Sequence, residues 1–191
     1  MGRVKSIGKR ISIAEHKDAT TVVIESTITK AQQISLEMWL GGWTGLGCLL
    51  GYGAFTFAGD ERLFYIGSLL FWGFFWIRIA KVVAWRRIGK EVIVISRGRV
   101  MMKNAFGKKG RERVFLISKM GEVKFEKREP FSFLQQLDTS YWILGGDTLY
   151  FSYEAKTHVF GKQLENHDSS QLANVVNKAM KKYEDKVKAP A

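Results

Sequence analysis

Catalytic equipment is scarce in this chain. Of its 191 residues one is cysteine, so Cys48 has no partner for an internal disulfide, and among glycines and leucines its thiol reads as a small apolar filler rather than a nucleophile. The three histidines, His16, His158 and His167, are scattered and share no metal-ligand spacing. Paired carboxylates at a useful spacing are missing. Gly45-Leu46-Gly47, followed by Gly51 and Gly53, is not a dinucleotide fingerprint, because no strand precedes it. No RNA- or DNA-binding signature accompanies the basic residues, so nucleic acid is not an expected partner. These absences leave no readable reaction: no catalytic residue, metal ligand or cofactor is expected. With hydrophobic residues at 46% and charged residues at 25%, disordered, collagen-like and disulfide-dense chains are excluded as well.

What is present is a division between apolar and charged stretches. Met38 to Gly59 is 22 residues without a formal charge, about 33 Å of helix against a hydrocarbon core of about 30 Å. Leu63 to Trp85 is a second apolar stretch, interrupted only by Arg78 and Lys81. The reading is a membrane α-hairpin of two transmembrane helices over residues 37–88, turning at Gly59-Asp60-Glu61-Arg62. Lys and Arg are concentrated on the flanks and nearly missing from the turn, which by the positive-inside rule makes both termini cytoplasmic. Small residues Thr44, Gly47, Gly51, Ala54 and Ala58 on the first helix, with Gly73 and Ala80 on the second, are the expected helix-packing positions, within the hairpin or against a further membrane protein. Arg78 and Lys81 are expected to snorkel to the headgroups or to pair with a lipid phosphate or a partner carboxylate.

From Lys90 the periodicity changes. Glu91-Val92-Ile93-Val94-Ile95, Val114-Phe115-Leu116-Ile117, Leu149 to Tyr153 and Thr157 to Phe160 read as strands. Arg97-Gly98-Arg99, Gly107-Lys108-Lys109-Gly110 and Glu154-Ala155-Lys156 read as hairpin turns, which makes an antiparallel meander. Asp168-Ser169-Ser170-Gln171 resembles a helix start ahead of Leu172, Val175, Val176, Ala179, Met180 and Tyr183 at helical spacing. In the N-terminal arm, 1–36, one strand is expected near 20–29. The stretch 129–144 has no clear assignment.

The Thr-rich strand, the helical pair, the basic junction into Gly89-Lys90-Glu91-Val92-Ile93, the meander, and Leu149-Tyr150-Phe151-Ser152-Tyr153 through His158-Val159-Phe160-Gly161-Lys162-Gln163-Leu164 together resemble the bacterial membrane-anchored proteins with a pleckstrin-homology-like domain. The resemblance implies an α+β cytoplasmic domain over 89–187, with a seven-stranded, strongly bent antiparallel sheet capped by a C-terminal helix and followed by a short tail, 188–191. It implies no catalytic activity. It also implies a multi-pass protein of the bacterial inner membrane.

Charge adds a second functional expectation. Residues 86–128 hold fourteen Lys or Arg against four Glu, a net +10 of the chain's +12, and anionic headgroups attract such a segment. Arg78, Lys81, Arg86, Arg87, Lys108, Lys109 and Arg111 are the expected contacts with lipid headgroups or a partner. The sequence thus points to a non-catalytic accessory or assembly subunit of a larger membrane complex, or to a surface module that binds anionic phospholipid. Other integral membrane proteins, anionic phospholipids and a second copy of the chain are its expected partners.

Overall fold

The computed structural model describes residues 3–107, 109–126 and 140–188. The described strands are β1 (Arg3–Ile7), β2 (Ile11–Glu15), β3 (Ala19–Glu25), β4 (Gly89–Ser96), β5 (Arg99–Phe106), β6 (Lys109–Leu116), β7 (Lys124–Phe125), β8 (Asp147–Tyr153) and β9 (Lys156–Lys162). The described helices are α1 (Lys30–Thr56), α2 (Gly59–Ile88) and α3 (Asn166–Lys188), with a 3-10 turn at Ile117–Lys119. They divide into a β-rich unit, Met1–Thr27 with Ile88–Ala191, and a helical unit, Ile28–Arg87.

In the β-rich unit β1 to β6 form one antiparallel meander, and β7, β8 and β9 form a second sheet. The turn chemistry explains the tight hairpins. Arg97 and Gly98 (φ 36° and 76°), and Glu154 and Ala155 (φ 48° and 63°), are two-residue connections with both central residues left-handed, which matches the right-handed twist of the flanking strands. Alternation then selects the buried face. Ile11 and Ile13 on β2, Val22 and Ile24 on β3, and Ile93 and Ile95 on β4 are buried, and they pack with Leu149, Phe151 and Phe160 of the second sheet. From α3, Leu172, Ala173, Val176, Ala179, Met180 and Tyr183 close this core, with Val175 partly buried beside it. The Asn177 side chain exchanges two 2.9 Å hydrogen bonds with the Val123 backbone, which fixes α3 to the segment ahead of β7.

In the helical unit, α1 starts at a capping box. The Thr29 hydroxyl accepts from the Gln32 amide N–H at 3.4 Å, and the Gln32 side chain accepts from the Thr29 N–H at 3.1 Å. Asp60 and Glu61 in the first turn of α2, and Arg86 and Arg87 in its last, complement the helix dipole.

Several expectations require correction. The two-helix transmembrane hairpin is not borne out, because among the described residues only α2 is long and apolar enough to cross a membrane, with a mean hydropathy of 1.6 over its apolar 18-residue stretch. α1 is free of charge over most of its length, yet lack of charge is not apolarity: six glycines, two tryptophans, two threonines and a tyrosine between Met38 and Thr56 dilute its leucines. The multi-pass placement in a bacterial inner membrane with both termini cytoplasmic falls with the hairpin. Both helices are inserted between β3 and β4, which pair over seven positions from Ala19↔Ser96 to Glu25↔Lys90.

The seven-stranded sheet is likewise replaced by a six-stranded and a three-stranded one. The N-terminal arm contributes three strands rather than one, because Ile7, Ile11 and Ile13 continue the buried face of β3. α3 begins at Asn166, two residues ahead of the expected Asp168 start. Lys108 and residues 127–139, most of the stretch without a clear assignment, lie outside the described residues.

Candidate functional site

The helical unit brings some of the expected packing positions together and leaves others aside. Gly47 is buried beneath the Trp72 ring, and Gly53 lies beneath the Tyr65 ring, so a Cβ at either position would meet an aromatic ring. Two indoles tie the helices together: Trp72 Nε1 donates to the Trp43 carbonyl at 2.8 Å, and Trp76 Nε1 donates to Thr44 Oγ1 at 2.8 Å. That hydroxyl in turn donates to the Leu40 carbonyl at 2.7 Å, so both its donor and acceptor roles are filled. Thr44 and Gly47 therefore sit at the contact between α1 and α2. Gly51 and Gly73 have open space where a side chain would sit, Ala54 and Ala80 are half-buried, and Ala58 is exposed in the connection between the helices. Gly53, Trp72 and Trp76 were not legible as packing residues, because a three-four spacing of small residues does not reveal which large side chains fill the notches.

Beside this seam runs an open apolar groove of about 480 Å³ lined by Trp43, Leu46, Leu50, Leu63, Phe64 and Phe71, among others. The outward flank of the unit is aliphatic and aromatic: Phe55 is 91% exposed, Leu70 74%, Tyr52 70%, Phe64 70% and Leu49 69%. A chain whose surroundings are all water rarely leaves so many large apolar side chains side by side.

The expected cationic contacts separate into different environments. Arg78 is exposed, with its guanidinium 4.9 Å from the centre of the Phe74 ring, and Lys81 is exposed. Arg87 is exposed and pairs with Glu37 at 3.2 Å. Arg86 is buried at 3% exposure, so it offers nothing to a headgroup. In the β-rich unit Lys109 and Arg111 are exposed on β6, where Arg113 joins them at the next position of the same alternation.

A polar seam holds the two sheets of the β-rich unit to each other. Glu91 on β4 is buried; it accepts from the Gly161 N–H at 2.7 Å and from Lys162 Nζ at 3.2 Å. Lys162 also pairs with Asp147 at 3.4 Å. Burial works to lower the Lys162 pKa, but Glu91 and Asp147 outweigh it, through charge and hydrogen bonds, and the pKa lies above the ordinary lysine value. Arg10, in the β1–β2 turn, donates from Nε to the Glu25 carbonyl at 2.8 Å and from its two terminal nitrogens to the carbonyls of Gln163 and Lys162 at 2.7 and 3.1 Å. Burial lowers its pKa, opposed by the charges of Glu91, Asp168 and Glu165. Thr148 donates to the Gly161 carbonyl and accepts from Ser169 at the start of α3. Gly161, with φ 74°, is crowded by Leu149 and Leu164, so this junction admits no side chain.

These groups bond to each other and to backbone, which is what a mechanical joint requires. His158 lies among the rings of Phe115, Phe151 and Tyr153, His167 bonds Gln171 at 2.9 Å, and His16 is exposed. Among the described residues no three metal-ligating side chains gather. No protein-family model, curated protein or solved structure matches this chain.

Proposed function

We propose that this chain is a non-catalytic, membrane-associated accessory subunit. Its helical unit lies against the apolar parts of a larger membrane assembly, and its β-rich unit serves as an interaction module at the surface. The observation that carries the reading is the exposed aliphatic and aromatic flank of α1 and α2, from Leu49 through Phe55 and from Phe64 to Leu70. Burying such side chains contributes roughly 1.5 to 3 kcal/mol each, so an apolar surround is worth far more to this unit than water. α1 already accepts from the two α2 indole donors, Trp72 and Trp76, and the flank is left for another surface.

The test is phase partitioning of the full chain in a cloud-point detergent, followed by mass determination of the native particle extracted in mild detergent. Recovery in the detergent phase and a particle heavier than the chain are expected. A monodisperse monomer in the aqueous phase without detergent would refute the proposal.

A second reading is favoured by Arg78. Its placement over Phe74, with Lys81 exposed three residues on, suits contact between the helical unit and anionic headgroups. Flotation of the full chain with vesicles made with and without phosphatidylglycerol distinguishes it, since equal flotation at all salt concentrations would reject headgroup contact.

A further inference from the structure

β6 is an edge strand of unusual composition. It spans eight residues, Lys109–Leu116, pairs with β5 on one side, and has no paired strand on the other among the described residues. Every residue of it except Phe115 is exposed. The register with β5 sorts its side chains. Lys109, Arg111 and Arg113 oppose Phe106, Asn104 and Met102, on the same side of the sheet as Phe115, whereas Glu112, Val114 and Leu116 are on the other side. Glu112 is neutralised by Lys103 at 2.7 Å. The three cations pair with no carboxylate among the described residues. Among the described residues the strand thus shows an unpaired backbone edge, a row of three positive charges on one face, and two exposed apolar side chains, Val114 and Leu116, on the other.

Positive charge on an edge normally prevents pairing, and here it opposes pairing with a second copy of β6, which would place like charges together. The same row favours an opposite pattern. An anionic membrane would satisfy the cations but not the backbone donors and acceptors of the edge, nor would it match charge on one face and valine and leucine on the other. We infer that β6 captures an extended segment of a partner protein in which acidic residues alternate with apolar ones. The segment adds to the sheet as a seventh strand, its carboxylates beside Lys109, Arg111 and Arg113 and its apolar residues beside Val114 and Leu116. The inference rests on the β-rich unit as an interaction module and not on the helical flank, so aqueous partitioning would remove the membrane reading and leave this one standing.

The experiment uses the full chain in detergent micelles and a fluorescent eight-residue peptide alternating glutamate with valine, read by anisotropy. Three controls accompany it: a peptide of the same composition with its glutamates in one block, the alternating peptide N-methylated at every second residue, and anionic vesicles as competitor. The alternating peptide is expected to bind, with the blocked and N-methylated peptides each weaker by about tenfold, the scale of losing three cross-strand charge pairs or their register. Arg111→Glu together with Arg113→Glu is expected to abolish this binding and to favour a peptide alternating lysine with valine. Equal binding of the alternating and blocked peptides would reduce the surface to unspecific charge and overturn the inference, as would indifference to N-methylation. Displacement of the peptide by anionic vesicles with no difference among the peptides would assign the face to lipid.

Discussion

Lys162→Met tests the joint between the two sheets. In the folded chain the ammonium lies 3.2 Å from a Glu91 oxygen and 3.4 Å from an Asp147 oxygen, and the Glu91 side chain is only 4% exposed. At 3.2 Å and an effective dielectric constant of about 20 the Glu91 attraction is about 5 kcal/mol before desolvation. Desolvation offsets much of this in the intact pair, but removing one partner leaves the other charge buried and uncompensated, which costs about 3 to 5 kcal/mol. Lys162 keeps 20% of its side chain exposed, so the lower end applies. The expected loss is about 3 kcal/mol, or a fall in melting temperature of roughly 6 to 12 °C for a unit of this size.

Glu91→Gln is milder, at about 1 to 2 kcal/mol, because the amide oxygen still accepts from the Gly161 N–H. The double variant is expected to lose less than the sum of the two, since each single change spoils the same interaction. Alkaline pH provides an independent sign. The folded pKa of Lys162 is raised above its ordinary 10.5, so its stabilisation is complete below the unfolded value and is lost as pH rises through the folded one. The wild-type chain should therefore show a stability loss above about pH 10.5 that Lys162→Met lacks. Thermal melts followed by near-ultraviolet circular dichroism in detergent, across that pH range, measure both effects. A loss under about 1 kcal/mol with an unchanged alkaline limb would refute the role assigned to the seam.

Three further outcomes follow from the packing. Gly47→Ala should destabilise the helical unit by about 1 to 3 kcal/mol through collision with Trp72, while Gly51→Ala, with open space around it, should be neutral or stabilising by up to about 1 kcal/mol; tryptophan-fluorescence melts compare them. Arg87→Ala breaks only an exposed pair with Glu37 and should cost about 0.5 kcal/mol, read by the same melts. Ala155→Gly relieves a left-handed alanine in the β8–β9 turn and should raise stability by about 1 kcal/mol, read from the denaturation midpoint of the β-rich unit.

Much of the β-rich unit was legible in the sequence because period-two burial and short turns are local signals. The strands around Ile93, Phe151 and Phe160, the turns at Gly98 and Ala155, and the apolar stripe of α3 lie where the alternation and spacing place them, whereas β6 begins at Lys109, inside the expected Gly107–Gly110 turn, and ends at Leu116, ahead of the 3-10 turn that takes Ile117. β1 and β2 were hidden in an arm rich in Lys, Ser and Gly, where only three isoleucines mark a buried face. On the candidate surfaces, Thr44, Gly47, Lys109 and Arg111 were readable as residue types. Arg113 became part of the row only through its register with Met102, and Arg86 left it through burial.

By itself the sequence determined the local facts: where much of the chain alternates, where the tight hairpins at Gly98 and Ala155 turn, and that the helical segments carry few charges. Hydrogen bonding and steric preference act over a few neighbours, so a few neighbours suffice to reveal them. Only the tertiary structure decided that the segments before and after both helices form one sheet, that Arg10, Glu91, Asp147 and Lys162 meet across sequence separations of up to 152 residues, and that among the described residues β6 is left as a cationic edge. Those outcomes depend on which distant surfaces are brought together and which are left over, and no local pattern encodes them.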